Sequence, residues 1–176
     1  MHYSSALFLN PEDRVESLER AQQRKVDALL ERLNLRDGQA LLEIGCGWGG
    51  LAEQAMERCA IQYDGLTLSV EQADYARDRL GSGAQIHLTD YRDAQGQYEA
   101  IASVEMVEAV GQHYWPDYLD AVARLLKPGG RAAIQYILID DAIFDHYARG
   151  ADFIQTYIFP GGMLISESRF RALAQE

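Results

Sequence analysis

The sequence predicts an α/β fold in which helices cover both faces of a mostly parallel β-sheet. The chain has 176 residues, the length of a single domain with one core. Short apolar segments alternate with helical segments from residue 40 to residue 138, as they do in βαβ units. The first apolar segment runs into the glycine-rich stretch LLEIGCGWGG at residues 41–50. Doubly wound sheets bind ligands at the carboxyl ends of their strands, so we expect the site at this loop.

The charge balance limits the classes of partner. Sixteen Lys and Arg residues face 27 Asp and Glu residues, a formal net charge of −11, which disfavours nucleic acid and gives no general attraction to anionic membranes. No apolar run approaches the roughly 18 residues of a membrane span, and the N-terminus shows no signal-peptide pattern. The cysteines, Cys46 and Cys59, indicate neither a disulfide framework nor a zinc site. We expect a cytoplasmic protein whose lipid contacts are local and mostly apolar.

An amphipathic helix is predicted to begin near residue 10 and to lead into the domain. Asn10 suits the N-cap, Pro11 suits the first helical position, and acidic residues follow in the first turn. Apolar side chains then recur at approximately helical spacing, at Val15, Leu18, Val26, Leu29, Leu30 and Leu33.

The predicted core follows in strict alternation. Strands are expected at residues 40–44, 61–66, 85–88, 100–104 and 131–138, and helices at 51–58, 69–80 and 116–126. KPGG at 127–130 reads as a turn. Beyond residue 140 the chain becomes rich in aromatic residues. These side chains either pack a helix onto the core or form a lid over an apolar substrate channel, and they are Phe144, Tyr147, Phe153, Tyr157 and Phe159.

The glycine loop is compatible with two kinds of cofactor. Gly45, Gly47 and Gly50 spell the GxGxxG fingerprint of NAD sites, with Asp64 about twenty residues further on. An NAD-binding acid must lie at the carboxyl end of the second strand, whereas Asp64 lies three residues before Thr67, within that strand. The NAD interpretation is therefore disfavoured.

The same stretch also reads ExGxGxG, the glycine loop of S-adenosylmethionine (SAM) methyltransferases. Glu43 lies near the end of the first predicted strand, and Asp90 lies just past the third. SAM carries a ribose, an adenine amino group and an ammonium, so acids at several strand ends suit it chemically. The sequence favours SAM over NAD.

Seven motifs resemble the cyclopropane-fatty-acyl-phospholipid synthase (mycolic acid cyclopropane synthase-like) family of SAM-dependent methyltransferases. They are YSSALF, LLEIGCGWGG, GLTLSVEQ, TDYRD, SVEMVEAVG, LLKPGG and FIQTYIFPGGML, and they run from residue 3 to about residue 165. The resemblance implies a Rossmann-like class I methyltransferase fold. A family member continues past residue 176 with a helix and two strands, so we expect this chain to lack its C-terminal strands and to leave the fifth strand at an edge.

The resemblance also implies a set of cofactor contacts. Residues 3 and 4 would fold over SAM, residues 45 and 47 would admit its methionine moiety, residues 67, 68 and 72 would hold its ribose, and residues 90 and 91 would flank its adenine. With Glu43 and Gly49, the cofactor-binding set is Tyr3, Ser4, Glu43, Gly45, Gly47, Gly49, Thr67, Leu68, Gln72, Asp90 and Tyr91. Ser69 and Gln72 also form an S-x-x-Q capping box, so Gln72 has a structural alternative.

In the family, methyl transfer to an alkene leaves a carbocation, and a bound bicarbonate is thought to accept the proton lost on ring closure. The resemblance assigns this anion to a cysteine, a glutamate, a histidine and a tyrosine nearer the C-terminus. Here the glutamate is Glu108, while Ser5 stands at the cysteine position and Gln135 at the histidine position. Glu108, Ser5 and Gln135 are the candidate catalytic residues, with a structural carboxylate as the alternative for Glu108. The histidines show no metal-ligand spacing, so no metal is expected.

These features predict one SAM-methyltransferase domain over residues 1–176. Its parts are a cofactor-covering segment and helix (1–36), a SAM-binding core (37–139), a substrate lid (140–165) and the start of a truncated C-terminal part (166–176). The expected reaction is C-methylation of an unsaturated acyl chain of a phospholipid, at the inner membrane face. An amine N-methyltransferase and a catalytically silent SAM-binding domain remain alternatives.

Overall fold

The structure, a computed structural model, describes residues 3–10 and 15–175 and confirms the predicted fold class. Its main sheet has five strands in the order β3-β2-β1-β4-β5, and every neighbouring pair is parallel. The strands are β1 (Ala40–Ile44), β2 (Gln62–Thr67), β3 (Ala84–Leu88), β4 (Tyr98–Val104) and β5 (Leu126–Gln135). The order reverses between β1 and β4, which is where ligands bind in such sheets.

Helices cover both faces of this sheet. They are α1 (Leu18–Leu33), α2 (Gly50–Arg58), α3 (Val70–Leu80), α4 (Val107–Val110), α5 (Trp115–Leu125), α6 (Asp141–Tyr147) and α7 (Glu167–Leu173). One apolar cluster joins α1, α2 and α3 to the sheet, and a second joins α4, α5 and α6 to it. Leu41 belongs to the first cluster and Leu42 to the second, because successive strand residues point to opposite faces.

Helix α1 begins later than the sequence predicted. Ser17 is its N-cap and accepts a hydrogen bond from the backbone N–H of Arg20. Asn10 lies outside any helix, Pro11 lies outside the described residues, and Val15 is 91% exposed. The preceding segment instead runs along α1, where the N–H of Leu7 donates to the carbonyl of Ala21. In the described residues, the helix therefore begins at Leu18 and does not include Asn10.

The fifth strand differs from the expectation at both ends. It begins at Leu126, and the predicted turn at 127–130 is an irregularity within it, since Tyr98 pairs with Leu126 and Ala100 pairs next with Arg131. It ends at Gln135. Leu138–Ile139 forms a separate strand, β6, that pairs in parallel with β7 (Ile165–Ser166). Among the described residues β5 pairs only with β4, so it is an edge of the main sheet.

The segment from residue 140 to residue 162 contains no strand, as predicted. Asp140 caps α6, and a π-helical turn spans Ile154–Ile158. Phe144 is buried against Trp115, with the two ring centroids 6.2 Å apart. The start of the segment is therefore packed against the core, whereas the large side chains near its end are exposed to solvent.

Candidate functional site

The glycine loop makes a tight turn at the carboxyl end of β1. The N–H groups of Gly45 and Cys46 both donate to the carbonyl of Leu66, at 3.0 and 2.9 Å. Gly45, Gly47 and Gly49 all have positive φ, at 82°, 53° and 77°. A Cβ on Gly45 would lie 2.5 Å from the sulfur of Met106, so only glycine fits there. The loop therefore presents bare backbone to the space beyond the sheet.

A cleft of about 570 Å³ opens beside this loop at the carboxyl ends of β1, β2 and β3. That volume is within the usual range for small-molecule sites. The cleft brings together seven members of the predicted cofactor set, namely Tyr3, Gly45, Thr67, Leu68, Gln72, Asp90 and Tyr91. It also has lining residues that the sequence analysis did not select, among them Arg92, Met106 and Tyr114. Arg92 and Met106 lie in the connections that follow β3 and β4, and Tyr114 ends a 3-10 turn before α5, where no periodic pattern marks a pocket residue.

Three further members line a smaller neighbouring cavity, which the cleft adjoins through Tyr3 and Gly45. This cavity, of about 40 Å³, is lined by Ser4, Glu43 and Gly47 among others. Gly49 lines neither space. It is the N-cap of α2, and a Cβ there would lie 3.1 Å from Leu80, so its role is to let the loop join the helix.

Glu43 is 3% exposed and lies at the penultimate position of β1. The hydroxyl of Tyr63 donates a hydrogen bond to its carboxylate at 2.5 Å. Burial raises the pKa of Glu43 to about 8, and this effect exceeds the opposing effects of Tyr63 and of the nearby Lys25. The pKa of Glu43 thus lies near neutral pH, so a cationic ligand group close to it would favour the ionised form of the carboxyl group.

Lys25 of α1 is a buried base that the sequence analysis missed. It is 5% exposed, and its ammonium donates to the hydroxyl of Ser4 at 2.5 Å. Burial lowers the pKa of Lys25, while the charges of Glu105 and Glu43 oppose this effect. In the sequence Lys25 reads as a surface residue of an amphipathic helix. It is buried because residues 3–7 lie along α1.

Gln72 serves both the helix and the cleft. Its backbone N–H donates to the hydroxyl of Ser69, which is the expected N-cap contact. Its side chain does not return the bond to Ser69. Instead it accepts from the hydroxyl of Thr67 at 2.7 Å and donates to the hydroxyl of Tyr3 at 3.4 Å. Half of the predicted capping box therefore forms, and the amide is left facing the cleft.

Asp90 forms a two-pronged ion pair with Arg92. Nε and Nη2 of Arg92 donate to the two carboxylate oxygens at 2.9 and 2.8 Å, and this pairing lowers the pKa of Asp90. Tyr91 contacts the ring of Tyr118 edge to face, with centroids 5.5 Å apart. Arg92 also lies over the rings of Tyr91 and Tyr114, so this end of the cleft combines an anion, a cation and aromatic faces.

Glu108 is bonded to the segment that follows β5. Glu108 lies in α4, and its carboxylate accepts from the backbone N–H of Ile137, whereas Ser5 and Gln135 donate to Glu105. The second carboxylate oxygen of Glu108 is buried without a hydrogen-bond partner, and burial raises the pKa of this residue. Among the described residues no hydrogen bond joins Glu108 to Ser5 or Gln135, and the catalytic role of these three residues stays a prediction. Its backbone carbonyl also accepts from Met163, so Glu108 connects α4 to the lid segment.

Asp64 occupies the middle of β2, where Nε2 of His87 lies 2.5 Å from its carboxylate. It is remote from the strand end at which an NAD ribose would bind. Within residues 3–10 and 15–175, no group of three or more His, Cys, Asp or Glu side chains is arranged to hold a metal ion. None of the helices described is long and apolar enough to cross a membrane.

The outer part of the lid segment exposes a group of large apolar side chains, which we call the lid patch. Their exposed fractions lie between 54% and 70%, and they are Phe153, Ile154, Tyr157, Ile158 and Phe159. The turn that follows is held to α4 by the bond between Met163 and Glu108. Because Ala109 and Val110 of α4 line the cleft, the turn after the lid patch is bonded to an element that forms part of the cleft wall.

Comparisons with known proteins agree with this geometry. The family described as Mycolic acid cyclopropane synthetase matches residues 1–176. The chain is 43% identical over 175 residues to the tuberculostearic acid methyltransferase UfaA1 of Mycobacterium tuberculosis, covering 94% of this chain and 41% of that protein. It is 38% identical over 169 residues to the cyclopropane-fatty-acyl-phospholipid synthase of Escherichia coli strain K12, covering 94% and 42%. The chain spans about two fifths of the length of these relatives.

A solved structure gives the same result for the fold. The mycolic acid cyclopropane synthase CmaA1, complexed with SAH and CTAB, has a TM-score of 0.83 and 28% identity to this chain. The match covers 99% of this chain and 65% of that one. The residues present here fit such a cofactor, because a side-chain-free turn, a cleft of adequate volume and acids near two strand ends lie together.

Proposed function

The chain belongs to the mycolic acid cyclopropane synthetase family, and on this basis we propose that it works as a SAM-dependent C-methyltransferase. Its substrate is the double bond of an unsaturated fatty acyl chain of a phospholipid, and its product is a cyclopropane or a methyl-branched chain. Two similar proteins have names that describe such products, one a tuberculostearic acid methyltransferase and the other a cyclopropane-fatty-acyl-phospholipid synthase.

One observation carries this proposal beyond family membership, and it is the connection between the cofactor cleft and the lid patch. Met163 binds Glu108, and α4 provides Ala109 and Val110 to the cleft. A group of exposed large apolar side chains on a segment bonded to the wall of a cleft is typical of a site for an apolar ligand. A small polar amine would gain nothing from Phe153, Tyr157 and Phe159 at this position.

We assign the cofactor to the cleft. The turn at Gly45 and Gly47 would hold its methionine moiety, Gln72 and Thr67 its ribose, and Asp90 and Tyr91 its adenine. The bound cofactor supplies an electrophilic methyl group. Tyr3 lines the cleft between Gly47 and Gln72 and would help to exclude water from the transfer, which matters because an alkene is a weak nucleophile.

We place the reaction at the inner face of the cytoplasmic membrane. The net charge of −11 opposes general adsorption to anionic lipid, so the contact must be local. The lid patch supplies such a contact through side chains that are suited to the apolar part of a bilayer.

The test is to incubate the complete protein and methyl-labelled SAM with vesicles of unsaturated phospholipid. Vesicles of saturated phospholipid are the matched control, and a mixture of small amines is a parallel substrate. Label that enters only the unsaturated lipid, with a product mass one CH2 unit larger, supports the proposal. Label in the amines would establish an N-methyltransferase instead. Label in neither, with SAM bound, would indicate a catalytically silent SAM-binding domain.

A further inference from the structure

Lys25 carries a buried ammonium group with more hydrogen-bond donors than the described residues satisfy. It lies in α1, is 5% exposed, and lines the cavity of about 40 Å³ beside the glycine loop. An ammonium has three N–H donors, and in the described part of the chain its only acceptor is the hydroxyl of Ser4. Because buried donors without acceptors are costly, this group is placed for an acceptor that a ligand would bring.

The contact with Ser4 does not by itself account for a buried charge. The side-chain amide of Gln22, also in α1, donates to the backbone carbonyl of Ser4 at 2.7 Å, and the N–H of Leu7 donates to the carbonyl of Ala21. Neutral groups therefore already hold the N-terminal segment along α1. A charged side chain costs more to bury than a neutral donor, so the charge of Lys25 calls for a further partner.

The cavity is lined by an acid as well as a base. Glu43 lines it from the end of β1 and Lys25 lines it from α1, and each is bonded to a neutral hydroxyl, Glu43 to that of Tyr63 and Lys25 to that of Ser4. Burial raises the pKa of Glu43 to about 8 and lowers the pKa of Lys25, so both are shifted toward their neutral forms. A ligand that brings a cation and an anion into this cavity would offset both shifts.

The amino-acid end of SAM has this composition, because its ammonium and its carboxylate are attached to one carbon atom. Gly45 and Gly47, where we place the methionine moiety, line the same cavity. Its volume of about 40 Å³ has room for a group the size of a carboxylate, since one water needs roughly 10–15 Å³.

We propose that Lys25 binds the carboxylate of the cofactor while Glu43 faces its ammonium, and that this pair makes the site specific for the intact amino acid. The hydroxyl of Ser4 accepts from Lys25 and keeps its own proton to donate to the same carboxylate. The two charges of the ligand and the two charges of the protein then balance in the buried site. This proposal rests on the cofactor of the proposed function and is independent of the acyl substrate.

The first test compares two ligands on the natural protein. Isothermal titration calorimetry with the complete protein measures the Kd of S-adenosylhomocysteine and of its decarboxylated analogue, in which a hydrogen atom replaces the carboxylate and the ammonium remains. We expect the analogue to bind about thirtyfold more weakly, because it leaves the ammonium of Lys25 buried without its partner. Equal affinities for the two ligands would overturn the proposal.

The second test removes the charge of the side chain. Lys25→Met keeps a long unbranched side chain, so the Kd of S-adenosylhomocysteine should rise about thirtyfold while that of the analogue stays within about threefold. Gln22→Leu loosens Ser4 without removing a charge, and it should weaken both ligands by the same factor. Lys127→Met is the matched control, because Lys127 pairs with Glu99 near the start of β4, at the opposite end of the sheet, and it should change neither Kd.

The ratio of the two affinities separates ligand binding from a structural role. If folded Lys25→Met weakens both ligands by one factor, as Gln22→Leu should, Lys25 is only a tether for Ser4 and the proposal is overturned. Circular dichroism checks the folding of each variant, and Lys25→Gln provides a second neutral side chain with the same expected ratio. If the natural protein binds S-adenosylhomocysteine but methylates no acyl chain, the proposed function fails and these affinities still decide the role of Lys25.

Discussion

The side-chain amide of Gln72 donates a hydrogen bond to the hydroxyl of Tyr3, although the two residues are 69 positions apart. Both residues line the cofactor cleft, so this bond joins the N-terminal segment to the cleft wall. Tyr3 also lies over the glycine loop, with its ring 3.6 Å from where a Cβ of Gly47 would be. The N-terminal segment thus lines the same cleft as the glycine loop, Thr67 and Asp90.

Removing the Tyr3 ring should weaken cofactor binding. Tyr3→Ala is expected to raise the Kd for SAM about tenfold, because the cleft loses its cover and a contact with Gln72. Tyr3→Phe keeps the ring and loses only a long hydrogen bond, so its Kd should rise less than about threefold. Isothermal titration calorimetry compares the variants. Equal affinities for Tyr3→Ala and the natural protein would show that Tyr3 does not contact the cofactor.

A side chain at Gly47 should abolish SAM binding. Gly47→Val places a branched Cβ at φ +53° on the face of the loop that borders the cofactor space, so we expect the Kd to rise at least about a hundredfold. Gly38→Val is the matched control, since Gly38 has φ +81° and a Cβ there meets nothing within 4 Å. Calorimetric binding retained by Gly47→Val would contradict the placement of the methionine moiety, and NAD should give no heat with any variant.

The sequence was sufficient to predict the parallel core. Apolar segments such as residues 40–44 bury every side chain but one on a sheet covered on both faces, and their pattern is therefore visible without tertiary information. The glycine loop was predictable for the same reason, because its spacing is local. The start of α1 was not, since Asn10 and Pro11 carry strong capping signals that compete with Ser17.

The residues that were missed depend on contacts between distant segments. Lys25 is buried only because Ser4 lies against α1, 21 positions away. Glu105 meets Ser5 across 100 positions, and its positive φ has no signature in the sequence around it. Glu108 was selected because it matches a family motif, and a motif fixes a position in the chain without fixing what the side chain contacts.

Glu43 should make stability depend on pH. Its pKa is about 8 in the folded state against 4.5 for an ordinary glutamate, so the folded protein keeps a proton that the unfolded chain releases. The free energy of unfolding should therefore fall as pH rises from 5 to 7, by at most about 1.4 kcal/mol per pH unit. Urea unfolding at several pH values measures this slope.

Glu43→Gln should flatten the slope, because the variant has no proton to lose at this position. Glu57→Gln, which changes an exposed carboxylate of α2, is the control and should leave the slope unchanged. A slope that persists in Glu43→Gln would assign the pH dependence to another group.

The lid segment should move on a faster timescale than the sheet. We expect the amides of residues 150–162 to exchange with solvent faster than those of β1 and β4, since their side chains are largely exposed, and to become protected when unsaturated phospholipid vesicles are added. Hydrogen exchange detected by mass spectrometry provides the measurement, with α3 as the internal reference. Exchange as slow as in β1, unaffected by lipid, would exclude a mobile cover.

Glu108 should tolerate replacement by an amide better than truncation to alanine. Glu108 accepts from Ile137 through its side chain and from Met163 through its backbone, so it positions the lid segment from α4. Burial raises the pKa of Glu108, and one of its carboxyl oxygens has no hydrogen-bond partner. An amide is a close replacement for this group if the carboxyl group is protonated, because both are then neutral.

We therefore expect Glu108→Gln to keep SAM affinity within about threefold and to retain at least about a tenth of the methyl-transfer rate, while Glu108→Ala lowers the melting temperature by several degrees and loosens the lid in hydrogen exchange. The structural contacts of Glu108 survive in the amide and are lost in the alanine variant. A hundredfold loss of turnover in Glu108→Gln, with an unchanged melting temperature and SAM still bound, would make Glu108 a carboxylate that acts on the substrate.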